Sequence, residues 1–450
     1  MIKDNIFREY DIRGIYNEDL TNESAYLIGR GFGSYIKNRG EDITIVGHDN
    51  RLSSPALSSN LIKGITESGV HVIDLGLVTT PMYYYSKIFY NINSGIMVTA
   101  SHNPSIYNGF KISFEREKNA YGDKIIEFRE FVKKQNFTQG QGNIIHKDIR
   151  KDYIDLLTKN INLNKKPKVV VDCGNGTGSI IIKDILDKLN IEYKLLYCES
   201  DGSFPNHDPD PSISKNMEEL SNTVKALNYD LGIGIDGDAD RVGLVDELGN
   251  IIKTDYYLIV MYNYLFKKIG NKKALFDVKC SRSLVNELDK LGMEKTMYRT
   301  GNSYINAMMQ DGDYKFGGEY SGHIYFRDKF LGFDDGIYAG LRMLELLSNN
   351  NTTLSNELKD IKRYYSTEEL KVNTDDIKKF EIVSKVKEYC KSKGYNINET
   401  DGVRVEFNDS WALIRVSNTT PCLTLRFEAE TTERLNEIQN EFMNFINSVL

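Results

Sequence analysis

Apolar positions along the chain gather into three well-separated stretches that repeat one plan. In the first, the run ITIVG enters the polar turn HDNRLSS; Leu57, Leu61 and Ile65 then recur at helical spacing, Gly69 stops the helix, and VHVIDLG follows as a second run. In the second, KVVVD leads into CGNGTGS, Ile182, Leu186 and Leu189 mark a helix, and IEYKLLY follows. In the third, ALFDV leads into KCSRS, Leu284, Leu288 and Leu291 form the stripe, Gly292 ends it, and MEKTMYR closes the unit. Apolar residues three and four positions apart share one helix face, and short apolar runs bounded by polar turns read as strands. Strand, turn, helix, strand makes a βαβ unit, so the pattern predicts three related α/β domains with helices on both sheet faces.

The C-terminal part reads differently. Alternation in VRVEF, the turn NDS, and the strands WALIRVS and LTLRFEA predict antiparallel pairing after a turn at Asp401-Gly402, closed by a helix with Leu435, Ile438, Phe442, Phe445 and Val449 on one face. The expected architecture is therefore three α/β domains with mixed sheets plus a C-terminal α+β domain, divided as 1–146, 147–250, 251–365 and 366–450.

Length and composition agree with that division. A chain of 450 residues exceeds the roughly 250–300 that one core can serve, and 40% hydrophobic with 27% charged residues describes an ordinary globular protein. A net charge of −7 gives no basic excess for a nucleic acid partner, so anion binding must be local. Five scattered cysteines with no Cys-x-x-Cys pair argue against a disulfide framework or a zinc site and for a reducing compartment. The charged N-terminus MIKDNIFREYDIRG lacks a signal-peptide stretch, and Tyr256 to Phe266, interrupted by Asn263, is too short to span a bilayer and reads as a buried helix. The expectation is a cytoplasmic protein without a membrane partner.

Four loops hold candidate chemistry. Ser101 ends an apolar strand in a loop with His102, Asn103 and Pro104, with Asn108 and Lys111 nearby; a serine at the carboxyl end of an α/β strand is placed to take a phosphoryl group, although an ordinary Ser/Asn turn looks similar. Asp236, Asp238 and Asp240 alternate with Gly237 and Ala239. An extended strand would space them by about 6.5 Å, too wide for one cation, and the small residues between them let the loop curl. Three carboxylates about 4 Å apart repel by roughly 4 kcal/mol per pair near a protein surface, so the cluster calls for a cation, and oxygen ligands favour magnesium, manganese or calcium. An EF-hand does not fit: the sixth position is Arg241 instead of Gly, and the flanks read as strands. Arg241 suits a phosphate. In KFGGEYSGHIYF, Glu319 follows two glycines and precedes Ser321 and His323; a carboxylate there can grip a sugar diol, against the plainer reading of a glycine-rich turn. Arg415, Ser417, Asn418 and Thr419 form a turn between strands, either a phosphate nest or a polar hairpin.

Together these loops resemble the α-D-phosphohexomutase superfamily, and most of all its bacterial phosphomannomutase/phosphoglucomutase branch. The likeness spans the chain: TASHNP, DGDADR, GEYSGH and RVSNTTP are joined by FREYDIRG, DGSFPNHDPDPS and FDVKCSRS in matching order and spacing. The resemblance implies four domains around one cleft, each lending a loop. It implies an isomerase that interconverts hexose 1-phosphate and 6-phosphate through a phosphoserine at Ser101, with Mg2+ as cofactor and a hexose 1,6-bisphosphate as intermediate and activator. Asp236, Asp238 and Asp240 would hold the magnesium together with Ser101. Arg241 and His102 would stand at the phosphoserine, Lys111 and His323 would be the acid/base pair, and Glu319 and Ser321 would hold sugar hydroxyls. Arg415, Ser417, Asn418 and Thr419 would hold the phosphate not being transferred, with Tyr10, Arg13 and Lys279 as further contacts. The Ser417-Asn418-Thr419 turn resembles the mannose/glucose branch, whereas the glucosamine branch usually has Ser-Gly-Thr. Asn302 and Asn306 depart from the His and Lys of many relatives, and His48 from a frequent Arg. The partners implied are small sugar phosphates, on a monomer or homodimer. A phosphoglucosamine mutase, a phosphatase and a catalytically weak sugar-phosphate binder are the alternatives.

Overall fold

The computed structural model describes residues 2–418 and 420–450. Four sheets follow one another along the chain. In each of the first three, a strand runs through a helix to a parallel neighbour on one side: Ile43–His48 to His71–Leu77 through Ser54–Glu67, Lys168–Asp172 to Glu192–Leu196 through Ile182–Lys188, and Lys273–Asp277 to Glu294–Tyr298 through Arg282–Lys290. The helices form where leucine stripes meet the sheet: Leu57, Leu61 and Ile65 are fully buried, as are Leu284 and Leu288. Ile182–Lys188 is the shortest of the three because a 3-10 turn, Thr177–Ile180, takes up the chain before it.

On the other side of that same first strand lies a third parallel strand: Gly95–Val98, Leu231–Ile235 and Phe316–Gly318 in the three domains. Each is followed by an antiparallel return, Tyr107–Ser113, Val242–Asp246 and Ile324–Phe326. The carboxyl ends of these three strands therefore hold equivalent positions, and they lead to Ser101, Asp236 and Glu319. In the fourth domain an antiparallel sheet is ordered Tyr365–Ser366, Cys422–Ala429, Ser410–Val416, Val403–Glu406, Asn396–Asn398. The helix Thr432–Val449 packs Leu435, Ile438, Phe442 and Ile446 into its core.

One hydrophobic core runs through the second and third domains and reaches Ile45, Met82 and Met97 of the first. The fourth domain has a core of its own. It joins the third through Trp411 and Leu413 on Val278, and through arginines that reach across: Arg404 donates to the carbonyls of Val278 and Cys280, and Arg426 to that of Lys279. Among the described residues no helix is long and apolar enough to cross a membrane.

Candidate active site

A cavity of about 650 Å3 opens where the four domains meet, with Tyr10 and Ser101 on one wall, Arg241, Lys279 and Glu319 on the next, and Arg415 opposite. Although the chain is acidic overall, Arg13, Lys111, Arg241, Lys279, Lys371 and Arg415 all line this space. Asp11, Asp208, Asp210, Glu319, Glu368 and Glu369 line it as well, so an anionic ligand would be met by individual cations and not by a uniformly positive cleft.

Ser101 sits at φ 51°, in the left-handed region that non-glycine residues rarely occupy. Its N–H donates to Thr99 Oγ1 at 2.9 Å, and its Oγ donates to Asp236 Oδ2 at 3.0 Å and lies 3.2 Å from His102 Nδ1. Burial first, then the charges of Arg241 and Arg13, hold the His102 imidazole well below its usual pKa. The loop is wrapped around Arg51, whose fully buried guanidinium donates to the carbonyls of Ser101 (2.7 Å), Asn103 (2.6 Å), Pro104 (2.8 Å) and Tyr107 (3.1 Å). Asp49 accepts from its Nε at 3.1 Å, and the Phe204 ring of the second domain lies 5.1 Å from the cation. A planar five-donor fork can bridge that many carbonyls; an ammonium cannot.

The three aspartates are completely buried, and one oxygen from each lies within 4.8 Å of the others. Two small residues make this possible. Ala239 adopts φ 67°, and a Cβ on Gly237 would stand 2.6 Å from the Ser101 carbonyl, so only glycine lets the two loops touch. Asp238 Oδ2 accepts from Thr80 Oγ1 (2.6 Å) and Lys111 Nζ (2.7 Å), and Asp240 Oδ2 accepts from Lys111 Nζ (2.5 Å). Burial and the charges of Asp240 and Asp238 push Asp236 well above the ordinary carboxylate range, and burial with Asp238 pushes Asp240 upward. Burial acts on Asp238 in the same direction, but Lys111 and Thr80 outweigh it and hold that carboxyl low. Lys111 is held charged: burial opposes its charge, yet Asp238 and Asp240 more than compensate.

One lysine does not neutralise three buried carboxylates. Asp238 Oδ1 and Asp240 Oδ1 are buried without a hydrogen-bond partner among the described residues. Leaving such oxygens unpaired is expensive, whereas a divalent cation with oxygen ligands would satisfy them, so the residues present fit a metal ion.

His323 closes this side of the cleft. Arg241 Nε donates to its Nε2 at 3.0 Å, and its Nδ1 lies 2.6 Å from Asp334 Oδ2 and 3.5 Å from Asp240 Oδ1. Donation from Arg241 makes Nε2 the acceptor and leaves the ring proton on Nδ1, facing the carboxylates.

Glu319 is buried at the end of the third equivalent strand. Its Oε1 accepts from Gly301 N at 2.7 Å, and burial pushes its carboxyl pKa upward. Ser321 and Asn302 border the same cavity. Asn306 does not: it lines a separate small hollow with Tyr84, Lys87 and Phe333. Lys279 pairs with Glu369 of the fourth domain at 3.2 Å. Arg415 Nε donates to Asp401 at 2.8 Å, and Asn418 Nδ2 donates to Thr300 O at 3.3 Å. Ser417 and Thr420 join through their hydroxyls at 2.8 Å; Thr419, the remaining member of the expected nest, lies outside the described residues. Tyr10 lies against Gly301, and Arg13 donates to Asp11 (2.5 Å) and Asn103 (3.1 Å).

Sequence reading overlooked Arg51 as the clamp of the serine loop, Thr80 as a partner of Asp238, Asp334 beside His323, and Glu369 and Lys371 in the cleft wall. The Asp334-Asp335 doublet ahead of a helix and the acidic pair Glu368-Glu369 were the available signals.

Comparison with known proteins agrees with this architecture throughout. The chain matches the alpha/beta/alpha domains I, II and III of the phosphoglucomutase/phosphomannomutase family over residues 4–139, 151–249 and 253–364, and the family's C-terminal domain over 369–445. It is 40% identical to a phosphomannomutase/phosphoglucomutase of Pseudomonas aeruginosa over 99% of this chain and 96% of that one. It is 39% identical to a phosphoglucomutase of Neisseria meningitidis over 98% and 97%. The crystal structure of a phosphoglucomutase/phosphomannomutase family protein from Burkholderia thailandensis superposes with a TM-score of 0.91 at 35% identity, covering 100% of this chain and 98% of that one. With four buried loops meeting in one cleft and the match complete from end to end, the chain belongs to the phosphoglucomutase/phosphomannomutase family.

Proposed function

We propose that the protein interconverts the 1- and 6-phosphates of mannose and glucose by passing a phosphoryl group through Ser101. The observation that supports this best is the Ser101 hydroxyl, facing the four-domain cavity and donating to Asp236 at 3.0 Å. In the forward half-reaction the Oγ–P bond of phosphoserine breaks as the 6-hydroxyl of a hexose 1-phosphate forms a new P–O bond. The hydroxyl proton leaves to a nearby base, and the product is a hexose 1,6-bisphosphate. After that molecule turns end for end, its 1-phosphate returns to Ser101 and the 6-phosphate is released.

Lys111 and His323 are the proposed acid/base pair, with Lys111, held charged by Asp238 and Asp240, suited to the acid role. Arg241 and His102 face the transferring group, while Arg415, Ser417, Asn418, Thr419 and Lys279 receive the other phosphate. Glu319 and Ser321 grip the 3- and 4-hydroxyls, and Tyr10 and Arg13 border the path of the turning intermediate. Asp236, Asp238 and Asp240, with an oxygen on Ser101, would hold Mg2+, which supplies charge neutralisation and polarises the phosphoryl oxygens when bound. Glucose and mannose differ only at the 2-hydroxyl, so a site gripping positions 3 and 4 takes both.

A coupled assay with glucose 1-phosphate and mannose 1-phosphate, primed by glucose 1,6-bisphosphate, tests the reading. Formation of both 6-phosphates is expected. Release of free phosphate would identify a hydrolase instead, and no turnover of either sugar would identify a silent binder.

Arg51→Lys gives a second test in the same assay. The substitution keeps the charge but loses most of the bonds that hold the loop in place, and misplacing a reacting group by about 1 Å costs roughly 100-fold in rate. The expected result is a loss of that order in kcat with KM little changed, because Arg51 holds the serine loop and touches no substrate. A selective rise in KM would show that it serves binding.

A further inference from the structure

Cysteines that look scattered in the sequence include one pair that the fold brings together. Cys173 begins the turn after Lys168–Asp172, and Cys198 lies two residues past the end of the parallel neighbour Glu192–Leu196. The strand ends are locked side by side, since Cys173 N donates to Leu196 O at 3.1 Å. Both thiols are free, and their sulfurs are 2.7 Å apart. A disulfide bond is about 2.05 Å long, so closure brings the sulfurs less than about 1 Å nearer.

We propose that Cys173 and Cys198 form a reversible oxidation site, a vicinal dithiol that becomes an intramolecular disulfide. The two sulfurs differ in access. Cys173 is completely buried, and burial together with the adjacent Cys198 thiol raises its pKa well above the usual value; Cys198 is half-buried and the more accessible of the two. Cys198 is therefore the entry point and Cys173 the resolving thiol. With oxidised glutathione as oxidant, the Cys198 thiolate attacks one glutathione sulfur and displaces one glutathione thiolate. Cys173 then attacks Cys198 Sγ and displaces the second. Two protein thiols lose two electrons to the two glutathione sulfurs, which end as thiols carrying the two protons.

The location gives the site access to the chemistry above it. The Cys173 carbonyl accepts from Gly176 N at 2.7 Å, and Thr177 donates to the Gly237 carbonyl through both its N–H (2.9 Å) and its hydroxyl (3.0 Å). The turn that begins at Cys173 is thus the support on which the aspartate loop rests.

The test uses the full chain treated with oxidised glutathione, alkylated, digested without reduction and mapped by mass spectrometry. The expected product is a Cys173–Cys198 cross-linked peptide that dithiothreitol reverses, with Cys280, Cys390 and Cys422 still alkylated as thiols. Cys198→Ser, at the half-buried position, is expected to fold normally, to lose the cross-link and to leave Cys173 unmodified. A stable glutathione adduct on Cys198 without cross-link would overturn the proposal, as would alkylation of both thiols at the untreated rate.

Discussion

Ser101→Ala should lower turnover at least about 10⁴-fold while leaving the protein folded, since removal of a covalent nucleophile leaves no alternative route through the intermediate. The structural cost is small. Alanine lacks only the Oγ, and at φ 51° it carries the same backbone strain that serine already bears. The hydrogen bonds lost are those to Asp236 and His102, worth about 1 kcal/mol each. Arg51 bonds to the loop through backbone carbonyls and so holds it whatever side chain stands at 101. The coupled assay and a thermal melt measured together give the answer: lost turnover with a melting temperature within a few degrees of the wild type. Wild-type turnover in this variant would remove the phosphoserine mechanism.

Chelation should have the second largest effect. Dialysis against EDTA is expected to lower activity by about 10³-fold or more, and magnesium to restore it, because charge stabilisation of a transferring phosphoryl group amounts to several kcal/mol. A readout independent of activity accompanies it. Asp238 and Asp240 are buried with unpaired oxygens, and a cation binding only the folded state raises stability by mass action, so magnesium should raise the melting temperature of the stripped protein. Indifference of both turnover and melting temperature to chelation would exclude the aspartate cluster as a metal site.

Most of the fold could be read from local pattern because the signals that specify it are local. Leucine stripes at helical spacing, apolar runs of strand length and polar turns between them identify three α/β domains, and alternation identifies the antiparallel sheet at the end. The loops showed their candidate chemistry through residue types at close spacing, as in Asp236, Asp238 and Asp240, which the fold gathers into one cluster. What escaped was whatever depends on pairs distant along the chain. Arg51 reads as one polar residue in a turn until the carbonyls of residues 101 to 107 are seen around it. Lys279 with Glu369 becomes a pair only when the third and fourth domains meet. Cys173 and Cys198 were read as isolated because sequence separation says nothing of parallel strands that end side by side. The departures at Asn302 and Asn306 part in space: on the helix Asn302–Asp311, residue 302 borders the cleft and 306 another hollow.

The equivalence of the strands ending before Ser101, Asp236 and Glu319 has a bearing on how such a catalyst diversifies. A single structural slot is filled three times, and under the proposed mechanism each copy has a different job: nucleophile, carboxylate cage and diol acceptor. The slots touch: Ser101 donates to Asp236, and His323 after the third strand lies 3.5 Å from Asp240 after the second. Under the proposed roles sugar preference would be set by Glu319 and Ser321 and by the C-terminal turn, so those two side chains, and not His323 with its bond from Arg241, are the place to begin redesigning what the protein accepts.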